Sequence, residues 1–247
     1  MRQGDVMTSA KPYGLLCPVS KACDVLGARW TLPILCEMWA GETRFNDIWR
    51  AVGGVSPTVL SRRLTEMEQA GLVVRVKDPA SGTIDYMRTQ KAIDLEPALV
   101  ALGRWSQRNI DAEMALSYDL STLMWAMRRL DTSSFPNRRI VIRFKFNESS
   151  GAHDKYWLLF RPGFPLEICV DVPGFDVDVF VETTEHSFAA VILGRSTIER
   201  EIGDERLFIT GDAFMMENLS DWFPRSNYAN TGDVLQTRGA THTVGSC

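Results

Sequence analysis

Residues 56–69 read SPTVLSRRLTEMEQ, and this stretch decides the fold of the N-terminal part of the chain. A serine followed by a proline marks a helix start, because serine caps free N–H groups and proline fits the first turn. Leu60, Leu64 and Met67 then recur at helical spacing, which predicts one core-facing stripe. The opposite face carries hydroxyls and a guanidinium, which suit the bases and phosphates of DNA but also an ordinary solvated helix.

The flanking residues place this helix in a larger motif. Two apolar segments before it, residues 30–40 and 44–51, are predicted helices, and Gly53-Gly54 forces a turn after the second. Two strand-like runs after it, residues 72–77 and 83–88, are joined by a turn-rich linker and predict a β-hairpin. Helix, turn, helix and hairpin in this order predict a winged helix-turn-helix domain.

Polar and basic side chains of this motif are the predicted DNA contacts. Arginine pairs with guanine edges, serine and threonine donate to bases or phosphates, and basic residues on a hairpin meet phosphates. The predicted DNA-binding residues are Arg44, Ser56, Thr58, Ser61, Arg62, Arg63, Thr65, Arg75 and Lys77.

The same segment resembles the HxlR-type regulators within the wider MarR-like winged-helix group. The resemblance spans roughly residues 15–110 and rests on ordered blocks, which are Cys17-Pro18-Val19, LGARWT at 26–31, RFNDI at 44–48, residues 56–64, EQAGLV at 68–73, and Tyr86. It departs at Pro33 and Ala92, where the family usually has an aliphatic residue and a glycine. The resemblance implies a homodimeric transcriptional regulator on a pseudo-palindromic operator, with helix 56–69 in the major groove and the wing along the minor groove. Repression and activation both stay open.

A long helix is predicted for residues 92–115, and it carries more apolar surface than a small winged domain can cover. Packing against a second copy and packing against the chain's own second half both explain this surface. The predicted dimerisation residues are Leu95, Leu99, Leu102 and Trp105.

Cys17 lies in the Cys-Pro block, and the resemblance implies a sensor thiol, since some members of the family sense electrophiles or oxidants with that cysteine. Such sensing needs an accessible thiolate near positive charge, which Lys21 supplies if the stretch is helical. A buried structural cysteine is the commoner state of this residue type. Cys17 is therefore the candidate redox residue.

Residues 119–225 predict a second domain of the α+β class. A helix at 119–130 precedes several strand-like runs, which lie at 140–146, 156–160, 166–172, 176–181 and 206–210. From residue 176 the order of strand, helix, Gly194, helix, strand and Gly211-Asp212 resembles the sterol-carrier-protein-like fold. That resemblance implies an apolar cavity between a curved sheet and helices.

Aromatic side chains of this domain suit such a cavity, and they equally suit a solid core. The ligand implied is a small hydrophobic effector. The candidate ligand-binding residues are Trp125, Trp157, Phe160, Phe180 and Phe188.

Composition and cysteine spacing limit the class of protein to which the chain can belong. The chain has 247 residues, of which 45% are hydrophobic and 23% charged, with a net charge of −4, and this fits a globular protein of two domains. Five cysteines in no paired spacing argue against an extracellular disulfide framework, and no signal peptide or membrane-spanning stretch is evident, so a cytoplasmic location is expected.

Enzyme signatures are missing from the sequence. It has no P-loop, dinucleotide fingerprint, nucleophile elbow or metal-ligand spacing, so neither catalysis nor a cofactor nor a metal is expected. The carboxylates of Glu199, Glu201, Asp204 and Glu205 are interpreted as exposed surface charge.

The sequence thus predicts four segments. They are a flexible N-terminus at 1–14, a winged-helix DNA-binding and dimerisation domain at 15–116, a sterol-carrier-like domain at 119–225 and a disordered tail at 226–247. The predicted function is a dimeric transcriptional regulator under the control of a hydrophobic effector or of thiol modification. The alternative is a carrier of lipids or other hydrophobic ligands, whose winged module mediates protein contacts.

Overall fold

The computed structural model describes residues 12–116, 118–147, 153–226 and 228–229. The chain divides into two compact units between Leu102 and Gly103, earlier than the predicted domain end at residue 116. The predicted flexible N-terminus and disordered tail fall mostly outside the described residues.

The first unit has the predicted winged helix-turn-helix order. Its elements are α1 (Pro18–Leu26), α2 (Thr31–Trp39), α3 (Phe45–Val52), α4 (Pro57–Gln69), β1 (Val73–Lys77), β2 (Ile84–Arg88), α5 (Gln90–Ile93) and the first half of α6 (Glu96–Asn109). The two strands pair antiparallel, with Val73 opposite Arg88 and Lys77 opposite Ile84. The apolar stripes of α2, α3 and α4 meet in one core, which includes Ile34, Leu35, Ile48, Leu60, Leu64 and Met67.

The single long helix predicted for residues 92–115 is wrong, because three helices occupy this region. They are α5, α6 and α7 (Ala112–Ala115). Pro97 lies in the first turn of α6, the one place in a helix where its missing N–H costs little. Asp111 begins α7 by accepting a backbone hydrogen bond at its carboxylate, so the chain starts a new helix there.

The second unit is of the α+β class, as predicted. After the second half of α6 and α7 it contains α8 (Leu120–Ala126), a 3-10 turn (Met127–Arg129), β3 (Ile140–Asn147), β4 (Lys155–Phe160), β5 (Glu167–Cys169), β6 (Val179–Thr184), α9 (Glu185–Ile192), α10 (Ile198–Gly203), β7 (Leu207–Gly211), α11 (Ala213–Glu217) and α12 (Leu219–Trp222).

Its five strands form one sheet in the order β5-β4-β3-β6-β7. The β3–β6 pair is parallel and the other pairs are antiparallel. Alternate residues of each strand point to one face, where Phe144, Phe188 and Trp222 belong to a single buried core. The opposite face buries only a small cluster around Val141 and Trp157.

The interpretation of residues 199–205 as exposed surface charge is wrong for Glu201, which is only 1% exposed. Its carboxylate accepts from the Arg206 guanidinium at 2.7 and 3.0 Å, from Ser187 at 2.6 Å and from Ser196. Burial alone raises the pKa of Glu201, but these hydrogen bonds outweigh it and lower the pKa to about 2. Glu201 is thus a structural anion that ties α10 to α9 and β7.

Two absences hold for the described part of the chain. No helix there is long and apolar enough to cross a bilayer. In the same ranges, no three His, Cys, Asp or Glu side chains lie close enough together to hold a metal ion.

Candidate DNA-binding surface

The turn before α4 fixes the position of that helix. Gly53 and Gly54 both adopt positive φ angles, of 60° and 59°, which glycine tolerates without strain. The Trp49 indole Nε1 donates to the Val55 carbonyl at 2.7 Å, and Ser56 Oγ accepts from the Val59 N–H at 3.3 Å. The helix start is therefore capped, and an indole hydrogen bond tethers the turn to α3. Residue types alone gave no sign of this Trp49 contact.

The exposed face of α4 carries most of the predicted DNA contacts. The predicted contacts that are exposed on and before this helix are Ser56, Thr58, Ser61, Arg62 and Thr65. Thr65 Oγ1 donates to the Ser61 carbonyl at 3.0 Å, which leaves its oxygen lone pairs available as acceptors. Arg62 Nε lies 3.8 Å from a Glu66 carboxylate oxygen, so the guanidinium is oriented while it stays largely in solvent.

Arg63 differs from its neighbour and is not available to DNA. Its side chain is 8% exposed and its Nη1 donates to Glu66 Oε2. Arg63 lies three residues after Leu60 and four before Met67, so it shares their buried stripe. The prediction of Arg63 as a DNA contact is therefore corrected, and helical spacing already carried the signal.

The hairpin presents Arg75 and Lys77 to solvent on β1. The Arg75 guanidinium lies 5.8 Å from the centre of the Tyr86 ring, a cation–π arrangement that restrains it. At the turn, the Ser81 hydroxyl and the Ala80 N–H donate to Asp78, and these bonds lower the pKa of that carboxyl.

Arg44 joins the hairpin through a contact that the sequence did not indicate. Arg44 pairs with Asp85 of β2 as an isolated bridge, and its Nε lies 3.8 Å from the Asp85 carboxylate. The Thr43 hydroxyl donates to the same carboxylate at 2.8 Å. Since these partners are about forty residues apart, no local pattern could have paired them.

The four predicted dimerisation residues separate into two kinds. Leu95 and Leu99 pack into the core of the first unit, so they are not free to meet a partner. Leu102 and Trp105 are 52% and 53% exposed. A missed apolar surface lies at the N-terminus, where α1 buries no residue and Leu16 and Val19 are exposed.

Cys17 occupies the N-cap position of α1 and is exposed. The backbone N–H groups of Ser20 and then Val19 lower the pKa of its thiol. Lys21 does not contribute to the lowered pKa of Cys17, and its ammonium lies 3.8 Å from an Asp24 carboxylate oxygen. The expected source of positive charge is thus replaced by the free N–H groups of a helix start.

The five candidate ligand-binding aromatics do not line one cavity. Phe188 lies in the main core and Phe160 packs against it. Trp157 is buried on the opposite face of the sheet, and Phe180 is exposed. The Arg128 guanidinium lies over the Trp125 ring, with its Cζ 4.0 Å from the ring centre. Alternation along β4 separates Trp157 from Phe160, whereas Trp125 and Phe188 lie on helices, and the sequence did not show how the strands are ordered.

Comparison with known proteins gives matches within the N-terminal part of the chain. Residues 25–114 match the model of the HxlR-like helix-turn-helix family. YvaP of Bacillus subtilis, described as an uncharacterised HTH-type transcriptional regulator, is 37% identical over 98 residues, which cover 39% of this chain and 91% of YvaP. An uncharacterised HTH-type transcriptional regulator of Methanothermobacter thermautotrophicus is 32% identical, with 37% of this chain and 71% of that protein covered.

Among solved structures, the reduced form of the transcriptional regulator YodB from B. subtilis is 27% identical. The match covers 39% of this chain and 97% of YodB, with a TM-score of 0.36. The relatives in curated sequences are named as regulators of transcription and not as enzymes. The chain therefore belongs to the HxlR-like helix-turn-helix family of transcriptional regulators.

Proposed function

We propose that this protein is a dimeric transcription factor that reads a pseudo-palindromic operator, with α4 in the major groove. The observation that carries the proposal is the face of α4 opposite the core, where Thr58, Ser61, Arg62 and Thr65 are all exposed. The capped start and the tethered turn hold this face rigidly, as sequence readout requires.

The contacts divide by chemistry. Arg62 reads a guanine edge, because a guanidinium pairs with two acceptors of guanine at once. Arg75 and Lys77 on the hairpin and Arg44 beside it bind phosphates, which positions the domain without reading sequence. Arg63 stays out of the interface because Glu66 holds it in the core.

The second copy is held through helices. A palindromic site needs two α4 helices about one DNA turn apart, and this requires a dimer. Exposed apolar side chains on α6, which are Leu102 and Trp105, and at the start of α1, which are Leu16 and Val19, supply surfaces that a partner covers.

Modification of the Cys17 thiol is the proposed control of DNA binding, and it is preferred to a hydrophobic effector bound by the five candidate aromatic residues. Cys17 is exposed and its pKa is lowered, whereas the aromatics are spread over two faces of the sheet. Alkylation of purified protein by a maleimide should be faster at Cys17 than at free cysteine at neutral pH. A rate equal to that of free cysteine would remove this mode of control.

The central test is fluorescence anisotropy of the full chain with DNA from upstream of its own gene and with scrambled DNA, at two salt concentrations. Preferential binding that weakens steeply with salt is expected. Absence of binding to both DNAs at low salt would overturn the proposal. A Thr65→Val variant is a matched probe, because it keeps the shape of the side chain but removes the hydroxyl from the exposed face.

A further inference from the structure

The hairpin contacts the start of α3 through Thr43 and Arg44, the two residues that precede that helix. The Tyr86 N–H donates to the Thr43 carbonyl at 2.8 Å, and Arg44 forms an isolated antiparallel bridge with Asp85. Both partners lie on β2. The chain before α3 therefore holds one strand of the hairpin through its backbone.

The Asp85 carboxylate adds side-chain contacts at the same place. Its Oδ1 accepts a hydrogen bond from the Thr43 hydroxyl at 2.8 Å and lies 3.8 Å from Arg44 Nε. The Asp85 side chain is 28% exposed, whereas the Arg44 side chain is 61% exposed. A half-buried carboxylate, fixed by a hydrogen bond of its own, thus restrains a guanidinium that stays largely in solvent.

A carboxylate beside a phosphate contact has two opposite effects on DNA binding. Its negative charge repels the phosphates and weakens binding at long range. Its ion pair with Arg44 holds that side chain in one orientation, which strengthens binding if the orientation is the one that DNA requires. The sign of the net effect therefore shows which of the two dominates.

We propose that Asp85 is a positioning residue for Arg44 and strengthens DNA binding although it is an anion. The inference rests on the proposed function, in which Arg44 binds a phosphate. An arginine side chain loses much rotamer freedom when DNA alone orders it, and this loss lowers the affinity. Asp85 restrains Arg44 at Nε before DNA binds, so both terminal nitrogens stay available to a phosphate.

Asp78, at the turn of the same hairpin, is a matched carboxylate without this role. It accepts from the Ser81 hydroxyl at 2.5 Å and from the Ala80 N–H at 2.9 Å, both within its own turn. These bonds lower the pKa of Asp78 most, and the charge of Arg44 contributes less. Removal of the Asp78 charge should therefore only relieve the repulsion of DNA.

Fluorescence anisotropy of the full chain with scrambled duplex DNA at low salt tests the proposal, because a phosphate contact does not depend on sequence. Asp85→Asn removes the charge and keeps an oxygen that accepts the Thr43 hydroxyl. It should weaken binding about three- to tenfold, whereas Asp78→Asn should not weaken it. A reductant in every sample keeps the cysteine thiols reduced, and neither substitution alters the proposed dimer surface.

The same substitution in an Arg44→Ala chain separates positioning from a general effect on the hairpin. Without a guanidinium to hold, Asp85→Asn should no longer weaken binding. Thr43→Val is a second variant in case Asp85→Asn does not fold, since it removes the donor that fixes the carboxylate and keeps the shape of the side chain. It should weaken binding by about twofold or more, and only while Arg44 is present.

Two results would overturn the proposal. If D85N bound DNA as tightly as the wild type or more tightly, Asp85 would act only as a repelling charge. If D85N lost the same factor with and without Arg44, Asp85 would support only the fold of the hairpin. Failure of the wild-type chain to bind any DNA is a different outcome, because it would remove the proposed function itself.

Discussion

On α4, Arg62 and Arg63 lie beside Glu66, and in the α10–β7 region Arg206 lies beside Glu201 and Asp204. In the sequence the two groups look alike, as arginines and carboxylates a few residues apart. In the structure Arg62 is 62% exposed on its side chain, whereas Glu201 is buried and has every carboxylate oxygen occupied. Arg62 can therefore bind another molecule, whereas Glu201 and its partners can only hold their own unit together.

The comparison shows that burial, and not composition, separates a binding group from a structural one. An exposed ion pair such as Arg62–Glu66 contributes little to stability and can be exchanged for DNA phosphates or bases. A buried carboxylate that loses its partners leaves an uncompensated charge, so its network cannot be reused. Each substitution below tests one side of this difference.

The largest effect is expected for Glu201→Ala. Removal of this carboxylate leaves the Arg206 guanidinium and two hydroxyls without their acceptor, and it should lower the free energy of unfolding by about 3–5 kcal/mol. Urea denaturation followed by tryptophan fluorescence measures the loss. Glu199→Ala is the matched control on the same helix, because Glu199 is exposed, and a loss above about 0.5 kcal/mol there would contradict the comparison.

The pH dependence of stability should show the contribution of the Glu201 carboxylate. Its pKa is about 2 in the folded protein, below the ordinary 4.5, so the unfolded chain binds the proton more readily. Glu201 therefore stabilises the fold fully above about pH 4.5, and this contribution, about 3 kcal/mol, is lost as the pH falls towards 2. Urea midpoints between pH 6 and 3 should fall more steeply for the wild type than for Glu201→Gln. Parallel curves would show that Glu201 is not the group responsible.

Arg62→Ala and Arg63→Ala separate the two roles within one helix turn. Arg62→Ala should weaken binding to the specific DNA by about 1–3 kcal/mol, roughly 5- to 150-fold, and leave the unfolding midpoint nearly unchanged. Arg63→Ala should lower the free energy of unfolding by about 1–2 kcal/mol, because Glu66 loses its buried partner. Fluorescence anisotropy measures the affinity of each variant for the specific DNA, and urea titration measures its free energy of unfolding. Equal losses of DNA affinity at constant stability would contradict the assignment.

The local features of the first unit could be predicted from sequence. The stripe of Leu60, Leu64 and Met67, the glycine turn and the hairpin all follow from residues within one element, and the structure confirms them. The position of Arg63 was also within reach, since it lies at helical spacing from Leu60. The family resemblance added the winged domain as a whole, and the match to the HxlR-like model bears it out.

Contacts between distant residues could not be predicted. Arg195 is fully buried and its guanidinium donates to the Gln107 side chain and the Ile110 carbonyl, more than eighty residues away. Burial of Glu201 depends likewise on Ser187 and Arg206 meeting around it. Trp157 and Phe160 lie on opposite faces because side chains alternate along β4, whereas the neighbours of each aromatic depend on strand order, which no local period encodes.

The smallest effect is expected for Lys77→Ala on the hairpin. Lys77 is exposed at the end of β1, so it is free to meet a phosphate, and a single phosphate contact carries no sequence information. The variant should weaken binding to operator and scrambled DNA by the same factor of a few, and lower the slope of log K against log salt by about 1. Lys155→Ala in the second unit is the matched control, since its ammonium already lies beside Asp154, and it should change neither quantity. If Lys77→Ala weakened binding to the operator but not to scrambled DNA, the hairpin would be reading sequence. The proposed division, in which Arg62 reads bases and the other exposed cations of the first unit bind only the DNA backbone, would then be wrong.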